Sequence, residues 1–264
     1  MQAANGRVAI MELLSQLYGN QILVNALTKG KPGATPAHAA AIAGREDSLR
    51  YIFDNAPPPS SAVFTTSDLR GATPAMLAVE GGHTKLLALM HELAGKVLLT
   101  HKTRSSFQPN IGGWTLLHHA AFSRKAECVT EVHRLMQLET PELIMAPDDQ
   151  GMDVSHVAAV AKMNGRCSPT CECHLEAGAV IVALQELGIN LEGEEPPEVP
   201  GGPRPLGKTR EYVPTPFWLA CMNNNMPQLD ALTRIPGINT RVCTSPSQYV
   251  ALDRTLIDSA GLVC

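Results

Sequence analysis

The chain has 264 residues, 44% of them hydrophobic, and a formal net charge of −4. It carries no run of Lys and Arg longer than two and no apolar stretch near the roughly 18–20 residues that span a bilayer, so neither a nucleic-acid footprint nor a membrane anchor is legible. Seven cysteines, odd in number and scattered, fit reduced thiols inside a cell, in cytoplasm or nucleus, better than a disulfide framework.

The first residues do not read as a secretory leader, because Glu12 interrupts the apolar stretch early. Arg7–Leu17 and Gln21–Leu27 read instead as a degenerate helix pair, forming an N-terminal cap over 1–29. From there a phrase recurs. It begins as Gly33-Ala34-Thr35-Pro36-Ala37-His38-Ala39-Ala40 and returns as Gly71-Ala72-Thr73-Pro74-Ala75-Met76-Leu77-Ala78. The third copy is Gly113-Trp114-Thr115-Leu116-Leu117-His118-His119-Ala120, and the fourth is Gly151-Met152-Asp153-Val154-Ser155-His156-Val157-Ala158. The fifth, Thr215-Pro216-Phe217-Trp218-Leu219-Ala220, lacks the leading glycine.

Each phrase has the make-up of a helix start. Thr35, Thr73, Thr115, Asp153 and Thr215 offer an oxygen to the orphan amides of the first turn. Pro36, Pro74 and Pro216 stand where a missing N–H costs nothing. The alanines keep one side of the helix thin enough for close stacking. Second helices with apolar residues at helical spacing follow at Arg45–Phe53, Gly82–Met90, Lys125–Leu135, Ala177–Leu187 and Pro227–Leu232. The capping positions are 38, 42, 38 and 62 residues apart. Insertions are therefore expected near 55–66, 166–175 and 192–209. The first holds Pro57-Pro58-Pro59 and cannot continue a helix; the last is rich in Pro, Gly and Glu. Residues 240–264 are left as a C-terminal cap.

The recurring phrase resembles the T-P-L-H-x-A signature of the ankyrin repeat family, whose repeat is about 33 residues long. The resemblance covers most of 30–239. It implies an all-α solenoid of stacked helix-turn-helix units with hairpin loops, and a protein-protein interaction module as its function. It further implies that the motif histidine bonds to the backbone of adjacent turns. His38, His118 and His156 match that position, whereas Met76 and Trp218 replace it.

Ankyrin proteins usually engage partners with hairpin tips and the open side of the first helices. Carried over position by position, that implies a binding face of Leu69, Arg70 and Glu80 in the second copy, and Ile111, Trp114 and Phe122 in the third. The fourth contributes Asp149, Gln150 and Met152, and the fifth Glu211, Tyr212, Met222 and Asn223. With only 4% aromatic residues in the chain, Trp114, Phe122 and Tyr212 along one groove would be natural anchors. Two readings stay open for Trp114, projection into the groove or packing between repeats, and packing is the expectation for Phe122.

Cys167, Cys171, Cys173 and His174 put four soft ligands within eight residues. Zinc takes such donors in a tetrahedron, and zinc is the one cofactor the sequence suggests. The usual C-x2-C spacing is absent, so a metal-free loop or a disulfide from Cys167 remain alternatives. A zinc-stabilised adaptor or substrate-recognition subunit is accordingly one rival to the plain binding module. An effector enzyme using the repeats for substrate choice is the other, but no phosphate loop, dinucleotide fingerprint, H-E-x-x-H or nucleophile motif supports it.

Overall fold

The computed structural model describes residues 2–25, 33–69, 71–103, 112–161, 172–191, 216–222, 226–236 and 238, with some helix residues described by backbone alone. Five pairs of antiparallel helices stack along one axis. The inner column is α3 (Pro36–Ile42), α6 (Pro74–Glu80), α9 (Leu116–Ser123), α11 (Val154–Val160) and α13 (Pro216–Met222). The outer column is α4 (Glu46–Asn55), α7 (Thr84–Ala94), α10 (Ala126–Glu139), α12 (Glu172–Glu186) and α14 (Met226–Thr233). Each inner helix packs on the next one, α3 on α6, α6 on α9, α9 on α11 and α11 on α13. No strand occurs among the described residues.

The core runs the length of the stack. Leu77, Leu87, Leu117, Leu184 and Leu219, each from a different helix, lie in it, and Val157 of α11 is fully buried without joining that cluster. Ala40, Ala75, Ala78, Ala120 and Ala159 are fully buried on the inner helices. Their small side chains let successive helices approach closely, which is the purpose of the alanine-rich half of the motif.

The helix starts are built as the residue types dictate. Thr73 Oγ1 accepts from the Met76 N–H at 3.4 Å, and Asp153 Oδ1 accepts from the Ser155 N–H at 2.8 Å and the His156 N–H at 3.3 Å. The motif histidines then tie one repeat to the next. His38 Nδ1 accepts from the Thr35 N–H at 3.2 Å, which leaves Nε2–H to donate to the Ala72 carbonyl at 3.0 Å. His118 repeats the arrangement with the Thr115 N–H and the Met152 carbonyl, at 3.2 Å each. Where methionine replaces histidine, Met76 Sδ lies 3.5 Å from the Thr73 N–H and can reach no further.

The long intervals between motifs have a structural origin. After each of the first three outer helices comes an extra helical turn: α5 (Ala62–Thr65), α8 (Val97–Thr100) and a 3-10 turn at Pro141–Leu143. The expected proline-rich surface loop is thus only part of the first insertion, whose second half turns inward. Val63 and Phe64 are buried there, with Phe64 stacked on Phe53 at 5.4 Å. Leu98 and Leu99 do the same in the second repeat.

At the N-terminal end, a 3-10 turn at Ala3–Asn5 takes the inner place against α3, and α1 (Val8–Tyr18) lies outside it, touching α4. The short α2 (Ile22–Asn25) leads on to the first full repeat. The inner element therefore precedes Arg7, where sequence periodicity is too brief to register. The C-terminal cap over 240–264 lies outside the described residues.

Candidate binding surface

The hairpins that join the repeats are defined by a hydrogen-bond pattern. The Gly71 N–H donates to the Asp68 carbonyl, the Asp68 N–H to the Ala72 carbonyl, and the Ala72 N–H to Asp68 Oδ1. Asp148 repeats this around Gly151 and Met152, its Oδ1 accepting at 2.8 Å from both the Gln150 and the Met152 N–H. In the third hairpin Thr103 takes the aspartate's place. Its backbone bonds to Gly113 and Trp114, and its hydroxyl accepts the Trp114 N–H at 2.9 Å. Thr103 and Trp114 are 11 residues apart where Asp68 and Ala72 are 4 apart, so this hairpin carries a seven-residue insertion. The sequence reading missed it. Its signal was present: Asp-x-x-Gly occurs at Asp68 and Asp148 but not before Gly113.

The motif glycine answers two demands at once. Gly113 has φ +78°, and a Cβ there would sit 2.7 Å from the Asp149 backbone nitrogen, whose N–H donates to the Gly112 carbonyl at 3.0 Å. Gly33 has φ +75°, with Leu69 N only 2.8 Å from the same imagined atom. Adjacent hairpins touch backbone to backbone, which only glycine permits.

Of the expected face residues, Leu69, Glu80, Phe122, Asp149 and Gln150 are exposed, and Met152 is half-buried against the core. Trp114 does not project. It is 3% exposed, and its Nε1–H donates to Asp148 Oδ2 at 3.1 Å, which holds the indole between the third and fourth hairpins. Phe122, expected to pack, is 43% exposed. The two rings meet edge-on at 5.1 Å. An indole has an N–H to satisfy and found a buried carboxylate; a phenyl ring at the end of α9 has no such hold and stays on the surface. His119 completes the cluster, edge-on to Trp114 at 5.3 Å, with Nδ1 3.9 Å from Glu80 Oε1 on the preceding inner helix.

Arg70, Ile111, Glu211, Tyr212 and Asn223 lie outside the described residues, and Met222 is described by backbone only, as the last residue of α13. Cys167 and Cys171 lie outside as well. Cys173 and His174 enter the first turn of α12, which starts five residues earlier than expected, but their side chains are not described. Among the described residues no group of three or more His, Cys, Asp or Glu is placed to hold a metal ion.

Cys128, His83 and His101 sit in structural surroundings. Burial, with Glu127 beside it, pushes the Cys128 thiol up to about 11, away from the thiolate a nucleophile needs. His83 Nε2 meets the Ile42 carbonyl at 3.1 Å, and His101 Nε2 meets Ser67 Oγ at 3.1 Å. Both link neighbouring repeats.

These stacked pairs match known architecture. The chain is similar to the crystal structure of the human ASB11 ankyrin repeat domain, with a TM-score of 0.53 and 17% sequence identity, over 88% of this chain and 80% of that one. The fold is an ankyrin-repeat solenoid. No protein-family model matches the sequence. No curated protein matches it either. At this identity the likeness concerns the fold alone. An ankyrin-repeat stack is in general a scaffold for binding other proteins. Among the described residues, no helix is long and apolar enough to cross a membrane.

Proposed function

We propose that the chain is a protein-interaction module that engages a partner across the inner-helix and hairpin side of its second, third and fourth repeats. Phe122 carries this reading. Its ring is exposed, and it rests edge-on against the buried Trp114, which is itself hydrogen-bonded to Asp148. A surface aromatic braced against a buried ring offers a large apolar face at low entropic cost and makes an effective anchor. Leu69 adds apolar surface on the second hairpin, while Glu80, Asp149 and Gln150 supply a polar, acidic border. The matching partner segment presents an apolar side chain flanked by Lys or Arg, since opposite charge at the rim speeds encounter and fixes register.

A displayed random-peptide library, selected on the full chain, tests this. The enriched peptides should combine an apolar residue with flanking basic ones and should lose binding to Phe122→Ala. Peptides that bind Phe122→Ala as well as the parent chain would remove the anchor and the face with it.

A further inference from the structure

The inner helices reach solvent at a common place. In α6, α9 and α11 the first six residues are all buried, and the seventh is the first that solvent reaches. Those seventh residues are Glu80, Phe122 and Val160, and in α3 the same place is Ile42. Successive inner helices pack on one another, and motif turns 34 residues apart are joined by His38 and His118, so the four side chains form one column along the stack. Its order is aliphatic, acidic, aromatic, aliphatic. Ile42 and Val160 are half-buried against the core, while Glu80 and Phe122 are exposed.

The step of this column is the distance between inner helices. Packed helices lie about 8–10 Å apart, and small side chains at the contact bring them to the short end of that range. The fully buried Ala40, Ala75, Ala78, Ala120 and Ala159 put this stack there. A ligand that reads the column must present one side chain per step, all on one side. A polyproline II segment does so, turning once in three residues and advancing about 9 Å. A β-strand covers about 10 Å in three residues, but residues three apart point to opposite faces. An α-helix needs seven residues and advances about 10.5 Å, so it slips out of register by about 1 Å at each repeat. The exposed Phe122 ring suits the first conformer, since polyproline segments dock on aromatic side chains.

Resting on the reading of this face as the binding surface, the geometry points to an extended, proline-containing segment of another protein as its ligand. The proline lies on Phe122. A Lys or Arg three residues to one side pairs with Glu80, and an aliphatic residue three residues to the other side packs on Val160. The ligand therefore reads basic-x-x-Pro-x-x-aliphatic, in one chain direction or the other. Such a segment is extended before it binds, so little entropy is lost in ordering it.

The peptides that a random library yields on the full chain, and that depend on Phe122, supply the test. They should share a proline with a basic and an aliphatic residue three places away on opposite sides, and their circular dichroism should be that of polyproline II. Moving the basic residue by one place should weaken binding several-fold, because it turns that side chain about 120° away. Glu80→Lys sets like charges together and should weaken binding at least about tenfold, and changing the peptide's basic residue to Glu should restore it. If Glu80→Lys fails to fold, Glu80→Gln serves in its place and should abolish the preference for a basic residue. Helical peptides with anchors seven residues apart overturn the inference. So do peptides with no fixed spacing, or with unchanged affinity for the Glu80 variant. In those cases binding still depends on Phe122, so the face stands and the ligand class falls. Peptides indifferent to Phe122→Ala remove the face and this inference together.

Discussion

Trp114 and Asp148 lie on neighbouring hairpins, 34 residues apart, and meet in a 3.1 Å hydrogen bond from Nε1–H to Oδ2. Asp148 also closes its own hairpin through Oδ1, so a single buried carboxylate sets the shape of one loop and the position of the loop before it. The indole held in this way is the surface against which Phe122 rests. Interior architecture and exposed anchor are thus coupled.

Trp114→Phe keeps most of the ring but removes the N–H. It should destabilise the chain by about 1–3 kcal/mol, the range for a buried polar partner left short of a bond. Asp148→Asn should cost a similar amount, and a double-mutant cycle by urea denaturation should show coupling of at least about 0.5 kcal/mol. Additive losses would mean the two side chains do not act as a pair.

Gly113→Ala forces a side chain onto a backbone at φ +78° and against the Asp149 nitrogen. The left-handed conformation alone costs roughly 1–2 kcal/mol, and the contact adds to it. Gly6→Ala is the control: its backbone is left-handed as well, φ +69° and ψ +21°, but the nearest atom to the imagined Cβ is in the Arg45 side chain, at an ordinary 3.5 Å. Thermal unfolding should show a larger loss for Gly113. Equal losses would mean the hairpins do not touch as described.

His118 makes stability depend on pH. Burial chiefly holds its pKa below the usual 6.5, although the Met152 carbonyl favours the charged form. The neutral ring fits the site because Nδ1 accepts a hydrogen bond. In the unfolded chain the imidazole protonates as pH falls through about 6.5, but in the folded chain only at lower pH. Between the two values the unfolded state binds more protons, so stability rises with pH there. The contribution is complete above about pH 6.5 and is lost as pH falls towards the folded value. Urea midpoints measured from pH 8 to 5 should decline for the parent chain, and less steeply for His118→Gln. An unchanged slope would place the titration elsewhere.

Asp153 acts in a lower window. Burial works to raise its pKa, but the hydrogen bond and charge of His156 outweigh it, with help from Ser155. A carboxylate held below its ordinary value stabilises the fold above about pH 4, and that stability is lost as pH falls further. Asp153→Ala should cost about 0.5–2 kcal/mol at neutral pH as a lost helix cap, and less at pH 3. The same cost at both values would mean the cap does not depend on ionisation.

The repeats were legible because their chemistry is local. Thr73, Pro74 and the alanines after them announce a helix start within a few residues, and Leu117 or Leu184 follows from spacing alone. What sequence concealed depends on contacts between repeats. Nothing within the third motif tells that Trp114 will find Asp148 on the next hairpin while Phe122, eight residues on, stays exposed. The third hairpin's insertion escaped for a related reason, since Thr103 replaces an aspartate and only the hydrogen-bond pattern equates them. α5 and α8 are single turns, too short for a period to show.

The central claim is tested most directly by titrating one selected peptide into the parent chain and into Phe122→Ala, by calorimetry, with thermal unfolding of both recorded alongside. Because Phe122 is 43% exposed and touches the core only through an edge contact with Trp114, the account predicts only a small change in melting temperature and an affinity loss of at least about 2 kcal/mol, some thirtyfold. Unchanged affinity in a fully folded Phe122→Ala chain would contradict it.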